Sequence, residues 1–408
     1  MSTTTHHPAP DPTGQFQVTA VRAHPHRAAL VHPFVTAARR TDAVDYAVVD
    51  IDLAAADGPP TQAPVVTGQG SAAETVAVTG EDAASILAAV TGPIRSALLD
   101  ATGTVGELAA RIATAVDGAS SARAAADVAL HDAWARTTGR PLVDLLAGTT
   151  APRHGLGSDV FDSDMTVSLE DPQVMAARAR DAVADGYRLL KIKLGRDIDE
   201  DRRRLHAVID AAPGVRLRLD ANQGWGVAEA IRIISGFEAD GLPIDLVEQP
   251  VAAAALDGMA QVRAEVATPV MADESVWTAA DARRIVDRGA ADMLNIKLAK
   301  TGGIREALAI ADIAHEAGLT CMVGAMMEPR ISITAAAHLA FAHPAVTMID
   351  LDSPEWFASR LPPGGYRIDA GRLTLTGGPG LGLDPLRPGD DPPALSPSAP
   401  PPAPAPPT

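Results

Sequence analysis

Lysine is nearly missing from this 408-residue chain: of 34 basic residues only Lys191, Lys193, Lys297 and Lys300 are lysine, leaving 30 arginines. Cysteine is scarcer still, with Cys321 alone, which excludes an intrachain disulfide framework. Aromatic residues make up only 3% of the chain, and no apolar run is long enough to span a bilayer. Basic residues fall 17 short of the 51 acidic ones, so the surface repels phosphate backbones and anionic lipid, which argues against nucleic-acid and membrane partners. The first thirty residues lack a cationic start followed by an apolar run of signal-peptide length. A soluble, reducing, cytoplasmic setting is therefore expected. Homo-oligomerisation is left open.

What is present is enough apolar sequence, 47%, for a substantial core. Residues 1–15 and the proline-rich 385–408 read as disordered tails. Residues 16–155 mix strand-like runs with helical stretches and read as an α+β capping domain. Its clearest helix is Ser120 to Thr138, expected to show one alanine-rich apolar face and a cap at Ser120 or Ser121. Residues 156–355 change character. Eight short apolar runs, beginning near Met165, Leu189, Arg216, Leu246, Val270, Met293, Thr320 and Thr347, alternate with amphipathic helical stretches. Repeated βα units in this number predict an α/β fold, a modified (β/α) TIM-type barrel. Residues 356–384 read as a segment returning to the capping domain.

In such a barrel the site lies at the carboxyl ends of the strands. Lys193, Asp220, Glu248, Asp273, Lys297 and Asp350 close the second, third, fourth, fifth, sixth and eighth runs. Three acids on successive strands bring like charges together, which a divalent cation resolves; an all-oxygen set suits Mg²⁺ better than zinc, and none of the 11 histidines falls in the series. The alternative for each acid singly is a helix cap or solvated loop residue. Lys191 and Lys193 share one side of a strand, where two close ammonium groups are expected to depress each other's pKa. Lys297 comes from the opposite wall. A base on each face of a metal-bound substrate fits racemisation or epimerisation beside a carboxylate, with the cation stabilising the enediolate charge.

The set Lys191-x-Lys193, Asp220-Ala221-Asn222, Glu248-Gln249-Pro250, Asp273-Glu274-Ser275 and Asn295-x-Lys297, with Lys300-Thr301-Gly302-Gly303, resembles the muconate-cycloisomerase-like branch of the enolase superfamily. The resemblance implies a capping domain over a modified barrel, Mg²⁺ on Asp220, Glu248 and Asp273, Lys193 and Lys297 as acid/base pair, and Lys191 as supporting neighbour.

Within that branch the eighth run ends in Asp350-Leu351-Asp352, an Asp-x-Asp that resembles the dipeptide-epimerase signature for a substrate ammonium. The segment His32 to Thr41 resembles the first lid loop of Ala-Glu epimerases and implies Arg39 on the substrate's side-chain carboxylate. A second lid segment, Gly68 to Thr75, departs from the usual Gly-x-Gly-Glu by carrying Ser71. Met326 and Met327, after the seventh strand, are expected to line the substrate pocket, with Glu328 supporting them. The expected activity is a Mg²⁺-dependent dipeptide epimerase, foremost L-Ala-D/L-Glu epimerase, with a small-molecule dipeptide as substrate. The alternatives are N-acylamino acid racemase, muconate cycloisomerase or o-succinylbenzoate synthase-like activity, a Schiff-base lyase, or a non-catalytic binding protein. Lys300 has no role derivable from sequence.

Overall fold

The computed structural model describes residues 14–390 except 36–39, 57–63, 148–159, 196, 360 and 388. An antiparallel sheet of four strands leads the chain, ordered Val66–Ala73, Arg40–Ala55, Phe16–Val35, Thr102–Gly103. Helices Ala83–Ala89, Val105–Ala115 and Ser120–Thr138 cover it with their own apolar core, in which Ile51, Leu53, Ile86, Ile94 and Leu108 are buried.

Eight parallel strands follow in unbroken sequential order: Met165–Val167, Leu189–Lys193, Arg216–Asp220, Ile244–Glu248, Val270–Ala272, Met293–Ile296, Thr320–Gly324 and Val346–Asp350. A bridge between Ser163 and Ile349 brings the two ends of this sheet together, so the eight form the expected barrel. The first seven strands each lead into a helix, whereas the eighth leads only into the short turn Ser353–Trp356. Parallel strands buried on both faces need apolar sequence throughout. Here every second residue turns inward, and the inner column changes from apolar at the bottom (Leu246, Met271, Met322) to charged at the top.

The helix Ser120–Thr138 differs from its expectation in two ways. It is buried on nearly all sides, because it is sandwiched between the antiparallel sheet and the barrel. Gly68 and Gly70 permit the contact, since any Cβ there would collide with the backbone of Ala129 or Ala125. Its start is not capped by Ser120 or Ser121. Instead Glu81 accepts hydrogen bonds from the Ser121 and Ala122 N–H groups at 2.8 and 3.0 Å, a carboxylate at the positive end of a helix.

The stretch expected as a second lid is also different: residues 66–73 form a buried strand, and Ala77 and Val78 beyond it reach the site. Strand Tyr366–Asp369 pairs with Arg372–Leu375, which pairs in turn with Phe161–Asp162, and Leu386 exchanges hydrogen bonds with Gln69 of the first sheet.

Candidate active site

The upper mouth of the barrel opens into a cavity of about 500 Å³. Lys191, Lys193, Asp273, Lys297, Lys300, Met326, Met327, Asp350 and Asp352 line it, and Asp220 and Glu248 lie buried immediately beneath. None of the three expected metal carboxylates caps a helix. The following helices begin at Gly226, Ala255 and Thr278 instead. Backbone strain marks the same strand ends, where Asn222, Gln223 and Gln249 take positive φ of 43°, 65° and 39°.

Ammonium and carboxylate groups interleave here. Lys193 Nζ stands 2.5 Å from Asp220, and Lys297 Nζ 2.7 Å from Asp273. Lys191, fully buried, lies 2.7 Å from Glu248 and 2.8 Å from Asp350. Its pKa is therefore not depressed by Lys193: burial pulls it down, but Asp350, Glu248 and Asp220 more than offset that and hold it well above the usual lysine value. Lys297 is likewise raised, with Asp273 overcoming burial.

Lys300 acquires a role that the sequence did not reveal. Its fully buried ammonium contacts both Oδ1 and the carbonyl of Asp273 and also the carbonyl of Asn295, and so fixes the fifth-strand acid from behind. Asn295 does the same for the fourth, donating from Nδ2 to Glu248 Oε1 at 2.9 Å. Gly324 on the next strand leaves the room for this, since a Cβ there would meet Asn295 Oδ1 at 2.5 Å. Gln249 accepts from the Asp273 and Ser275 N–H groups and locks the fifth-strand turn. Deeper still, Arg218 pairs with Asp164 at 2.7 Å beneath Lys191. The signal for Lys300 was its membership of the four lysines, and for Asn295 its even spacing from Lys297. Arg218 carried the same even spacing from Asp220, and Asp164 carried none.

The acids answer unequally to this setting. Lys297 and Lys300 overcome burial and hold Asp273 well below the usual carboxylate range, and Lys193 and Lys191 lower Asp220. Burial, reinforced by the charge of Asp220, pushes Glu248 up to about 7. Glu248 Oε2, although 2.7 Å from Lys191 Nζ, is off the line of a hydrogen bond and has no other partner among the described residues. Three buried carboxylates on successive strands are a donor set that suits a hard divalent cation. As placed, with ammonium groups between them, no three acid, His or Cys side chains among the described residues converge on a single ion position.

Asp350 and Asp352 are not equivalent either. Asp350 is neutralised by Lys191, which brings it down to about 2 against the cost of burial. Asp352 has no cationic partner among the described residues. Its Oδ2 accepts from the Thr166 N–H at 2.7 Å and from Trp356 Nε1 at 3.2 Å. Burial and the charge of Asp350 push it up to about 6. Trp356 packs edge-on against Phe34 and closes this side of the cavity. Arg39 lies outside the described residues.

Residues 17–147 match the family described as mandelate racemase/muconate lactonizing enzyme, N-terminal domain, and residues 174–388 the one described as enolase C-terminal domain-like. Over 268 residues, 65% of this chain and 73% of the relative, the sequence is 43% identical to the L-Ala-D/L-Glu epimerase of Clostridium acetobutylicum. The substrate-liganded L-Ala-D/L-Glu epimerase of Bacillus subtilis superposes with a TM-score of 0.82 at 35% identity, covering 90% of this chain and 98% of that one. The dipeptide epimerase of Enterococcus faecalis, complexed with Mg and L-Leu-L-Tyr, gives 0.79 at 33% identity over 90% and 99%.

Proposed function

The chain belongs to the mandelate racemase/muconate lactonizing enzyme family of the enolase superfamily, and from that premise we propose that it is a Mg²⁺-dependent dipeptide epimerase, an isomerase acting on L-Ala-D/L-Glu or a close analogue at the α-carbon of the C-terminal residue. The observation that carries the reading is the placement of Lys193 and Lys297. They close the second and sixth strands, four apart in an eight-strand ring, so they face one substrate carbon from opposite sides. One ammonium delivers a proton while the other lysine, neutral, removes one, and the roles exchange for the reverse inversion.

Asp220, Glu248 and Asp273 would hold Mg²⁺, which would supply charge stabilisation at the substrate carboxylate. Lys191 remains protonated among Glu248, Asp220 and Asp350 and balances their charge. Lys300 and Asn295 orient two of the three carboxylates. Asp352, unpaired with any cation among the described residues, receives the substrate's α-ammonium, with Asp350 beside it. The Phe34–Trp356 contact closes one side of the mouth.

A second reading concerns the substrate's C-terminal side chain. The remaining described lining is largely apolar, including Phe34, Leu194, Ala325, Met326, Met327 and Trp356, and the only cations among the described lining residues are lysines placed around the acids. That favours an apolar side chain, whereas Arg39 on the substrate carboxylate would favour glutamate. Incubation of a dipeptide library in D₂O with Mg²⁺, with deuterium read at each α-carbon by mass spectrometry, tests both. Incorporation at the C-terminal α-carbon is expected; no incorporation into any dipeptide defeats the proposal. Ala-Glu turned over well and made slow by Arg39→Ala decides for the acidic side chain, and Ala-Leu preferred decides for the apolar one.

A further inference from the structure

Two of the barrel helices that begin without a side-chain cap of their own are completed from outside the barrel. The helix Ile304–Glu316 starts at Gly303, which has no side chain, and the helix Arg330–Ala342 starts at Pro329, which offers no acceptor. Both are completed from the N-terminal layer. Asp127 Oδ2 accepts from the Ile304 N–H at 2.7 Å, and Ser71 Oγ accepts from the Ser332 N–H at 3.1 Å. Buried first-turn N–H groups left without a partner are costly, so each contact ties the two layers together at a defined point.

The Ser71 contact extends into the cavity. The hydroxyls of Ser71 and Ser332 are 2.7 Å apart, and Ser332 Oγ also reaches the Ser71 carbonyl at 2.8 Å. Ser332 stands in the first turn of the helix Arg330–Ala342, into which the buried Glu328 and Pro329 lead directly. Glu328 Oε2 in turn accepts from the Met326 N–H at 3.1 Å, while the Glu328 N–H donates to Ser353 Oγ at 2.7 Å. Met326 lines the cavity, and Ser353 follows Asp352 directly. All three of Ser71, Ser332 and Glu328 are 5% exposed or less.

We infer that Ser71 is a positioning residue: by holding Ser332 it fixes the first turn of the helix Arg330–Ala342, and with it the Glu328 segment that leads into that turn and sets the Met326–Met327 and Ser353 turns, the wall against which a substrate side chain rests. The capping sheet thereby tunes the fit of the substrate through a buried hydroxyl that never touches it. This rests on the epimerase reading for its kinetic consequence, though not for the structural link. A hydroxyl donates and accepts in the same place, which the site requires, because Ser71 must accept the Ser332 N–H while meeting the Ser332 hydroxyl.

The test uses the full chain labelled with [methyl-¹³C]methionine, in the presence of Mg²⁺, for wild type, Ser71→Ala, Ser332→Ala, the double variant and Ser71→Thr. The Met326 and Met327 methyl resonances should move in both alanine variants, with the double variant matching the singles, while Met259 on an outer helix stays fixed and Ser71→Thr returns toward wild type. With an active dipeptide, KM should rise roughly five-fold and kcat change less than two-fold in Ser71→Ala, a loss of uniform binding. Unmoved Met326 and Met327 resonances in folded Ser71→Ala, or in folded Ser332→Ala should the first fail to fold, overturn the inference. So does a kcat loss with unchanged KM. If wild type exchanges no dipeptide proton, the epimerase reading falls, and the resonances alone decide this link.

Discussion

Replacing Asp352 by Asn should cost activity while adding stability. Asn keeps an acceptor oxygen for the Thr166 N–H and Trp356 Nε1, so the turn should persist. What it removes is the charge. A charge-assisted hydrogen bond contributes about 1.5–3 kcal/mol, so kcat/KM for a free dipeptide should fall roughly 10- to 150-fold, mostly through KM. The pH dependence follows from the same group. With its carboxyl pushed from 3.8 up to about 6, Asp352 binds more protons folded than unfolded. That preference favours the fold fully below pH 3.8 and is lost as pH rises through 6. At pH 7 the ionised form therefore costs on the order of 3 kcal/mol, because each ten-fold change in proton affinity is worth about 1.36 kcal/mol. Asp352→Asn should recover much of this at pH 7 and little near pH 4, as read by urea denaturation at the two pH values. For catalysis, Asp350, at about 2, stays ionised throughout. The wild-type kcat/KM should then lose about ten-fold per pH unit below 6 and decline again above about 8 as the substrate α-amino group deprotonates. Stopped assays of Ala-Glu epimerisation from pH 4.5 to 9.5, with N-acetyl-Ala-Glu as the substrate lacking an ammonium, check this. An Asp352→Asn enzyme with KM within two-fold of wild type, or with the acid limb near 6 intact, would refute the reasoning.

Lys193→Ala and Lys297→Ala should each abolish epimerisation, by at least about 10³-fold, while one of them retains solvent exchange of the α-proton of a single epimer; exchange of both epimers in either variant would contradict the opposed-base arrangement. Asn295→Leu, which withdraws the donor to Glu248, should weaken Mg²⁺ binding by about 10- to 100-fold in calorimetry, and an unchanged affinity would remove its orienting role. Asp164→Ala removes the carboxyl acceptor of the buried Arg218 and should destabilise the protein by about 1–3 kcal/mol, measurable as a fall in the denaturation midpoint. Chelation with EDTA should eliminate turnover and lower the Tm, with Mg²⁺ restoring both.

The barrel was legible because it is written in repeats. Each apolar run of three to five residues has to be a strand buried on both faces, and each amphipathic stretch between has to be its covering helix, so the eight strands and their polar final residues could be read locally. Asp220, Glu248, Asp273, Lys193 and Lys297 followed from that register. The capping layer was harder to read. The helix Ser120–Thr138 looks one-faced in isolation, and only the sheet on one side and the barrel on the other show why so little of it is polar at the surface. The segment around Ser71 carries glycines that suggest a mobile lid but serve close packing against that helix.

The chain by itself determined which groups stand at the barrel mouth, since a strand's period of two and the repeat of the βα unit leave few choices for where an inward side chain ends up. The tertiary structure decided what those groups do to one another. Lys191 meets Asp350 across 159 residues, Asp127 caps Ile304 across 177, and Ser71 meets Ser332 across 261. No local propensity encodes such pairs, because burial desolvates each charge and only the particular neighbours that the fold supplies determine whether it is raised, lowered or neutralised. That is why Asp350 and Asp352, two residues apart, end near 2 and near 6, and why, among the described residues, only the first has a cationic partner.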